Sequence, residues 1–167
     1  MAIIGALIFL DSEGCVIFRQ RRVGMRGRIF TCYKFRTMYQ NAPKSVPTGS
    51  FFDASLYVTP IGRLLRRTSL DELPQLFNVI MGDMSLVGPR PLIENEGEIH
   101  ELRRRCGVYE VRPGITGLAQ IRGRDSIDDI QKARLDVRYV RKMSFAEDAR
   151  ILLNTATVAV LGRDVAF

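Results

Sequence analysis

The sequence predicts an α+β fold, mainly α-helical with one small β-hairpin, in a single domain over residues 1–167. Three observations carry this expectation. The segment GCVIFRQRRVGMRGRIFTCYKFRTM, residues 14–38, has two apolar arms around a glycine-bounded turn, the signature of a hairpin. Several later segments repeat apolar residues at helical spacing. No internal repeat or linker divides the chain, and 167 residues are enough to bury one core.

Composition narrows the class of function. Apolar residues make up 46% and charged residues 26%, a folded and not a disordered balance. The net charge of +7 and a pI near 9.8 point to an anionic partner: nucleic acid, an anionic membrane surface or a phosphorylated small molecule. Three cysteines, Cys15, Cys32 and Cys106, form neither a zinc spacing nor a disulfide framework, which favours a reducing, cytosol-facing setting. The single histidine, His100, excludes a multi-His metal site and leaves catalysis to carboxylates, Lys and Arg.

Taken in order, MAIIGALIFL is apolar for ten residues, half of what a membrane-spanning helix needs. It is either a buried core segment or an element dipping into one leaflet, and the basic run FRQRRVGMRGR behind it favours an interface. The hairpin arms are Cys15–Phe18 and Ile29–Phe35, with Gly24–Gly27 as the turn. Residues 40–56, QNAPKSVPTGSFFDASL, read as a loop. A short helix around PIGRLLRR precedes a helix in which Leu73, Leu76, Phe77 and Ile80 form an apolar stripe. Asp71, Gln75 and Asn78 fall on its polar face, and Gly82 closes it. Asp83–Pro91 reads as irregular, 93–106 as a dipole-matched helix, and VRPGITGLAQIRGRDS as turns. Ser126, Asp128 and Asp129 open a helix with Ile130, Ala133, Val137 and Val140 inward, where Lys132 and Asp136 are placed to pair. Ser144–Glu147 is a capping box for the last helix.

The stretch TSLDELPQLFN, residues 68–78, sets two carboxylates side by side after the basic run GRLLRRT. Ser69 and Glu72 fit a capping box, which explains the acids by helix capping alone. A cap at Asp71 instead would bring Pro74 into the first helical turn, where proline is tolerated. The chemical reading is that the helix start and Arg66 and Arg67 hold a carboxylate ionised, able to attack phosphorus or ligate a divalent cation. In VGPRP, Pro89 and Pro91 stiffen the backbone around Arg90, whose fork suits phosphate oxygens. Acids beside the basic cluster would repel a nucleic-acid backbone, so no nucleic-acid partner is expected.

Together these motifs resemble the bacterial sugar transferase family, the monotopic phosphoglycosyl transferases. The resemblance rests on IFRQRRVGMRGRIFTCYKFRTM, TPIGRLLRRTSLDELPQLFNVIMGDMSLVGPRPLI, VRPGITGLAQIRGRD and LDVRYVRKMSFAEDARILLNT, in that order from Gly14 onward. It implies a membrane-associated catalytic domain on the cytoplasmic face of a bacterial inner membrane. The implied reaction moves a phosphosugar from a nucleotide diphosphate sugar, a UDP-sugar, to polyprenyl phosphate with loss of UMP. Such a step initiates exopolysaccharide, capsule, O-antigen or glycoprotein glycan synthesis. By the same resemblance Asp71 is the nucleophile, Glu72 with Asp71 holds Mg²⁺, and Arg90 clamps phosphate. Lys34 matches the lysine of the Lys-Phe-Arg-Thr-Met motif. Arg36, Gln120, Arg124, Asp136 and Asp148 are expected around the substrate. Residues 1–13 correspond to the second half of the family's re-entrant membrane helix, with 14–167 as the catalytic part. The shortened start leaves a catalytically silent membrane scaffold as the alternative, and self-association is left open.

Overall fold

The computed structural model describes residues 1–43, 54–123 and 127–161. The apolar N-terminus forms helix α1, Ala2–Asp11, and one side of it is the core segment that the sequence allowed. Ile8 is buried with Phe35 and Leu65, and Ile4 packs against them, while Ile3, Phe9 and Leu10 stay exposed. Among the described residues no helix is long and apolar enough to cross a membrane.

Strands β1, Ile17–Val23, and β2, Ile29–Phe35, pair antiparallel from Ile17↔Phe35 to Val23↔Ile29. The first arm therefore starts later and runs further than its apolar residues suggested, because its second half alternates. Arg19 and Arg21 are exposed, whereas Gln20 and Arg22 are half-buried. Residues opposite one another across a ladder share a face, so Phe18, Gln20 and Arg22 lie on the face of Lys34, Cys32 and Phe30. The turn uses Arg26 (φ 56°) and Gly27 (φ 73°) in the left-handed region.

Helix α2, Pro60–Thr68, begins with Pro60 in its first turn and Thr59 as cap, its hydroxyl accepting from the Gly62 N–H at 2.9 Å. Asp11, at the end of α1, accepts from the Ile61 N–H at 3.3 Å. After Ser69 comes a single 3₁₀ turn, Leu70–Glu72, and then helix α3, Gln75–Ile80. The apolar stripe is not buried as a unit: Leu73 packs against the Ile8, Phe35 and Leu65 cluster, but Leu76, Phe77 and Ile80 face outward. Gln75 and Asn78 are buried, while Phe77 is 55% and Ile80 81% exposed. The physical reason is that Asn78 satisfies backbone groups of β2, as described below, and that outweighs burying the apolar side.

The two segments expected to be irregular contain short strands. Strand β3, Ser85–Val87, pairs parallel to β4, Gly114–Thr116. Strands of this length carry too few residues to show a period of two. Their approach is backbone on backbone: a Cβ on Gly114 would sit 2.1 Å from the Gly88 nitrogen, and one on Gly117 2.1 Å from the Gly88 carbonyl oxygen.

Helix α4, Glu98–Arg105, starts later than expected because residues 91–97 remain loop. Helix α5, Leu118–Arg122, follows β4 directly. Helix α6, Asp129–Lys142, is capped by Asp128, which accepts from the Gln131 N–H at 2.7 Å; Ser126 lies outside the described residues. Its buried positions are Ala133, Asp136 and Tyr139, and Ile130 is exposed. The expected Lys132–Asp136 pair is not made. Lys132 turns to Asp129 at 3.1 Å, and Asp136 is buried against Arg103 of α4. Helix α7, Phe145–Leu161, keeps half of the expected capping box, with Ser144 Oγ accepting from the Glu147 N–H at 3.2 Å.

Three apolar clusters hold these elements. Ile8, Phe35 and Leu65 join α1, β2 and α2; Val87, Leu118, Tyr139 and Ile151 join β3, α5, α6 and α7; Leu92, Ile99 and Ala133 join the loop, α4 and α6. The glycine contact is the tightest constraint on the second of these. Replacing Gly114 by Ala is expected to cost about 1–3 kcal/mol, because neither strand can move without opening the β3–β4 pair. That corresponds to a fall in Tm of roughly 2–12 °C in a thermal melt.

Candidate active site

The Asp71–Glu72 pair sits where the chain breaks between two helices. Helix α2 stops at Ser69, which turns into the left-handed region at φ 57°, with its N–H pointing back to the Arg66 and Leu65 carbonyls. The next turn is 3₁₀, without a side-chain cap from Ser69, and Pro74 stands at the N-cap of α3. Neither capping scheme suggested by the sequence is built. Pro74 comes before the helical bonds and loses none of them.

Lys34 of β2 meets Glu72 at 2.7 Å, Nζ to Oε1, and Arg90 Nη1 approaches the same oxygen at 3.9 Å. This convergence depends on Asn78. Its Oδ1 accepts from the Tyr33 N–H at 3.1 Å and its Nδ2 donates to the Thr31 carbonyl at 2.7 Å. The amide thus takes the place of a neighbouring strand along β2, on a side chain with no exposed surface. Strand β2 and helix α3 are thereby tied, and Lys34 is brought to the carboxylates.

Arg22 was read only as part of a lipid-directed basic run, yet it belongs to this wall. It donates to the Pro91 carbonyl at 2.9 Å and to Gln20 Oε1 at 2.5 Å, with Glu96 at 3.9 Å. Burial, followed by the charge of nearby Arg90, lowers its pKa to about 10. The signal that could have found it is the period-two alternation of β1, which puts Arg22 on the face of Lys34.

Asp71 departs from the sequence expectation of a carboxylate held ionised by its surroundings. Burial pushes its carboxyl upward; Lys34 opposes this, Glu72 adds to it, and Arg66 and Arg90 oppose it, with burial prevailing. A three-residue turn has little dipole to offer, and Arg66 directs its Nε to Thr37 Oγ1 at 3.0 Å. Two adjacent carboxylates are hard-oxygen donors of the kind that could hold a divalent cation. Among the described residues no group of three or more His, Cys, Asp or Glu is placed to share a metal ion, at this turn or elsewhere. A cleft of about 210 Å³ opens beside Glu72, walled by Leu73, Leu76, Leu86, Ile121 and Leu152, with Ser69 and Gln120 on its lining.

The remaining residues carried over from the resemblance are dispersed. Gln120 lines that cleft, donating through Nε2 to the Ile115 carbonyl at 2.9 Å. Arg36 is buried away from Glu72's partners and donates to the carbonyls of Ile8, Ser12 and Glu13, so it fastens the end of α1. Asp136 is 1% exposed and ion-paired to Arg103 in the layer behind Arg90. Asp148 accepts from the Tyr139 hydroxyl at 2.8 Å and joins α6 to α7. Arg124 lies outside the described residues.

The family described as bacterial sugar transferase matches residues 1–162. The chain is 41% identical over 160 residues to the uncharacterized sugar transferase EpsL of Bacillus subtilis, covering 96% of this chain and 77% of that protein. It is 40% identical over 172 residues to undecaprenyl-phosphate galactose phosphotransferase of Salmonella typhimurium, covering 92% of this chain and 35% of the other. Against UDP-glucose:undecaprenyl-phosphate glucose-1-phosphate transferase of Caulobacter vibrioides, identity is 40% over 157 residues, covering 89% and 58%.

A buried carboxyl raised above its unfolded value binds its proton more tightly in the folded state, so folded stability falls as pH rises through that interval and stays lower above it. In protein stripped of divalent cations with a chelator, Asp71→Asn is therefore expected to raise the Tm at pH 7. The gain should shrink as the pH approaches the ordinary carboxylate range. Equal melting curves at pH 7 would show that burial is not the prevailing influence on Asp71.

Proposed function

The chain belongs to the bacterial sugar transferase family, and on that premise we propose that it transfers a sugar-1-phosphate from a UDP-sugar to a polyprenyl phosphate at the Asp71–Glu72 turn. In the first step an Asp71 carboxylate oxygen attacks the sugar-linked phosphorus. The bond to the bridging oxygen breaks, and UMP leaves with that oxygen and its electron pair. In the second step a phosphate oxygen of the polyprenyl phosphate attacks the phosphorus of the aspartyl phosphosugar. The acyl-phosphate bond breaks, and the Asp71 carboxylate returns. The net products are UMP and a polyprenyl diphosphate sugar.

The observation that carries this reading is the half-buried Asp71 next to Glu72, whose carboxylate is held by Lys34 at 2.7 Å and approached by Arg90 at 3.9 Å. An anionic nucleophile reaches an anionic phosphorus only where cations gather around both. Lys34, Arg22, Arg66 and Arg90 provide that field, and a carboxyl made more basic by burial is the stronger nucleophile once ionised. Asp71 and Glu72 would hold Mg²⁺, which when bound neutralises charge on the diphosphate. Arg90, stiffened by Pro89 and Pro91, clamps phosphate oxygens. The apolar cleft beside Glu72 takes the first isoprene units of the acceptor, with its phosphate at the carboxylate end.

The exposed apolar residues Ile3, Phe9 and Leu10 of α1, Phe77 and Ile80 of α3, and Phe145 and Leu153 of α7, together with exposed Arg19 and Arg21, support seating on an anionic lipid surface. We place that surface on the cytoplasmic leaflet of a bacterial inner membrane, where a UDP-sugar and the lipid acceptor meet. The reaction then starts assembly of an exopolysaccharide, capsule or related glycan.

A panel of UDP-sugars with undecaprenyl phosphate and Mg²⁺, read by UMP release, tests the assignment. Asp71→Asn is expected to reduce release by roughly 10³-fold or more and to abolish a mass-detectable phosphosugar adduct. Undiminished release from that variant would remove Asp71 as nucleophile. Arg90→Ala should raise the KM for the UDP-sugar, with a loss in kcat/KM of about 10²-fold.

A further inference from the structure

We propose that the buried Arg103–Asp136 pair is a positioning device for Arg90, acting through the Arg90 backbone carbonyl. The inference rests on the reading of Arg90 as the phosphate clamp.

Five consecutive carbonyls from Pro89 to Ile93 accept hydrogen bonds from outside the segment: from Gly114 N at 3.0 Å, Arg103 Nη1 at 2.7 Å, Arg22 Nη1 at 2.9 Å, Val23 N at 2.8 Å and His100 Nε2 at 2.7 Å. Pro89 and Pro91 have no N–H of their own, so the segment cannot form a regular ladder, and its carbonyls are met one by one by donors from elsewhere in the fold. Arg103 serves the second of them, that of Arg90. Its guanidinium gives Nη1 to the Arg90 carbonyl and Nη2 to Asp136 Oδ2, with both side chains 2% or less exposed.

Stability alone does not account for that choice. Two buried charges are no firmer than a well-packed apolar pair, because their desolvation offsets their attraction. What the guanidinium offers is geometry: a planar fork that reaches a carboxylate and a carbonyl at once. Asp136 sets the plane of the fork from α6, and the fork sets the height of the Arg90 backbone. The Arg90 side chain, 42% exposed and 3.9 Å from the Glu72 oxygen, is the proposed phosphate contact. Asp136, expected beside the substrate, acts two residues removed from it, through Arg103 and Arg90.

Arg103→Lys keeps the charge opposite Asp136 and loses the second arm; Asp136→Asn keeps the shape and loses the anchor. Both are made in the otherwise unaltered chain and in an Arg90→Ala background. UMP release is followed with whichever UDP-sugar the unaltered chain turns over, at a temperature below all of the Tm values measured alongside. With Arg90 present, each variant is expected to raise the KM for the UDP-sugar, with a loss in kcat/KM of roughly 10–100-fold. With Arg90 absent it should cause no further loss in kcat/KM, while its lowering of Tm is the same in both backgrounds. An equal fold-loss in kcat/KM in both backgrounds overturns the positioning role and leaves Arg90 as clamp. An Arg90→Ala protein with unchanged KM overturns the clamp itself and the inference with it. Should Arg103→Lys fail to fold, the Asp136→Asn cycle decides alone.

Discussion

A backbone that runs Pro-Arg-Pro lacks two of the N–H groups a regular ladder would use, and the carbonyls from Pro89 to Ile93 are met instead by donors from several parts of the molecule. The donors come from the hairpin through Arg22 and Val23, from α4 through Arg103 and His100, and from the start of β4 through Gly114. Helix α6 joins by holding Arg103 with Asp136, and the close glycine contact of β3 with β4 sets where Pro89 begins. His100 belongs to the same scheme. With its Nε2–H given to the Ile93 carbonyl, its Nδ1 is left as the acceptor for the Tyr109 hydroxyl. The lone histidine is a structural donor, in keeping with a chemistry that uses carboxylates and cations.

The same logic explains why polar groups are inside and apolar ones outside at α3. An orphaned N–H and C=O on the outer side of β2 would cost about 1–3 kcal/mol each. Asn78 removes both costs with one amide, which fixes the helix with its leucine and phenylalanine side turned away. Side-chain periodicity could not reveal this, because it assumes that the apolar side is the buried one. The hydrogen-bond demand of a strand 45 residues earlier overrides it.

What was legible in the sequence was local. The second hairpin arm, Pro60 in the first turn of α2, Asp128 as a cap, Ser144 before α7 and the Gly82 stop all follow from residues within a few positions of one another. Asp71, Glu72, Lys34 and Arg90 were named from motifs, and the structure brings Lys34 and Arg90 to Glu72. What was illegible depends on distant partners. Asp136 has a lysine four residues before it, yet pairs with an arginine 33 residues earlier, because only that partner shares its burial. Arg36 was indistinguishable from Lys34 as a strand-end base until the end of α1 supplied three carbonyls for it. The protonation tendency of Asp71 was misread for a related reason: its neighbours in sequence argued for charge, and its burial against it.

Helix α3 then links the chemistry to whatever covers its outer side. Its inner positions, Gln75 and Asn78, hold the hairpin that delivers Lys34, and its outer positions, Phe77 and Ile80, are exposed. The two sides are separated by one helix width, about 10 Å, and Glu72 lies three residues before the first helical position. The cleft beside Glu72 is lined by Leu73 and by Leu76 of this helix, so it borders both the carboxylate and the helix. On the proposed reading the water-soluble donor meets the cationic side formed by Lys34, Arg22 and Arg90. The proposed reaction would bring a lipid acceptor and a water-soluble donor to opposite sides of this helix, whose polar side faces inward because Asn78 satisfies β2.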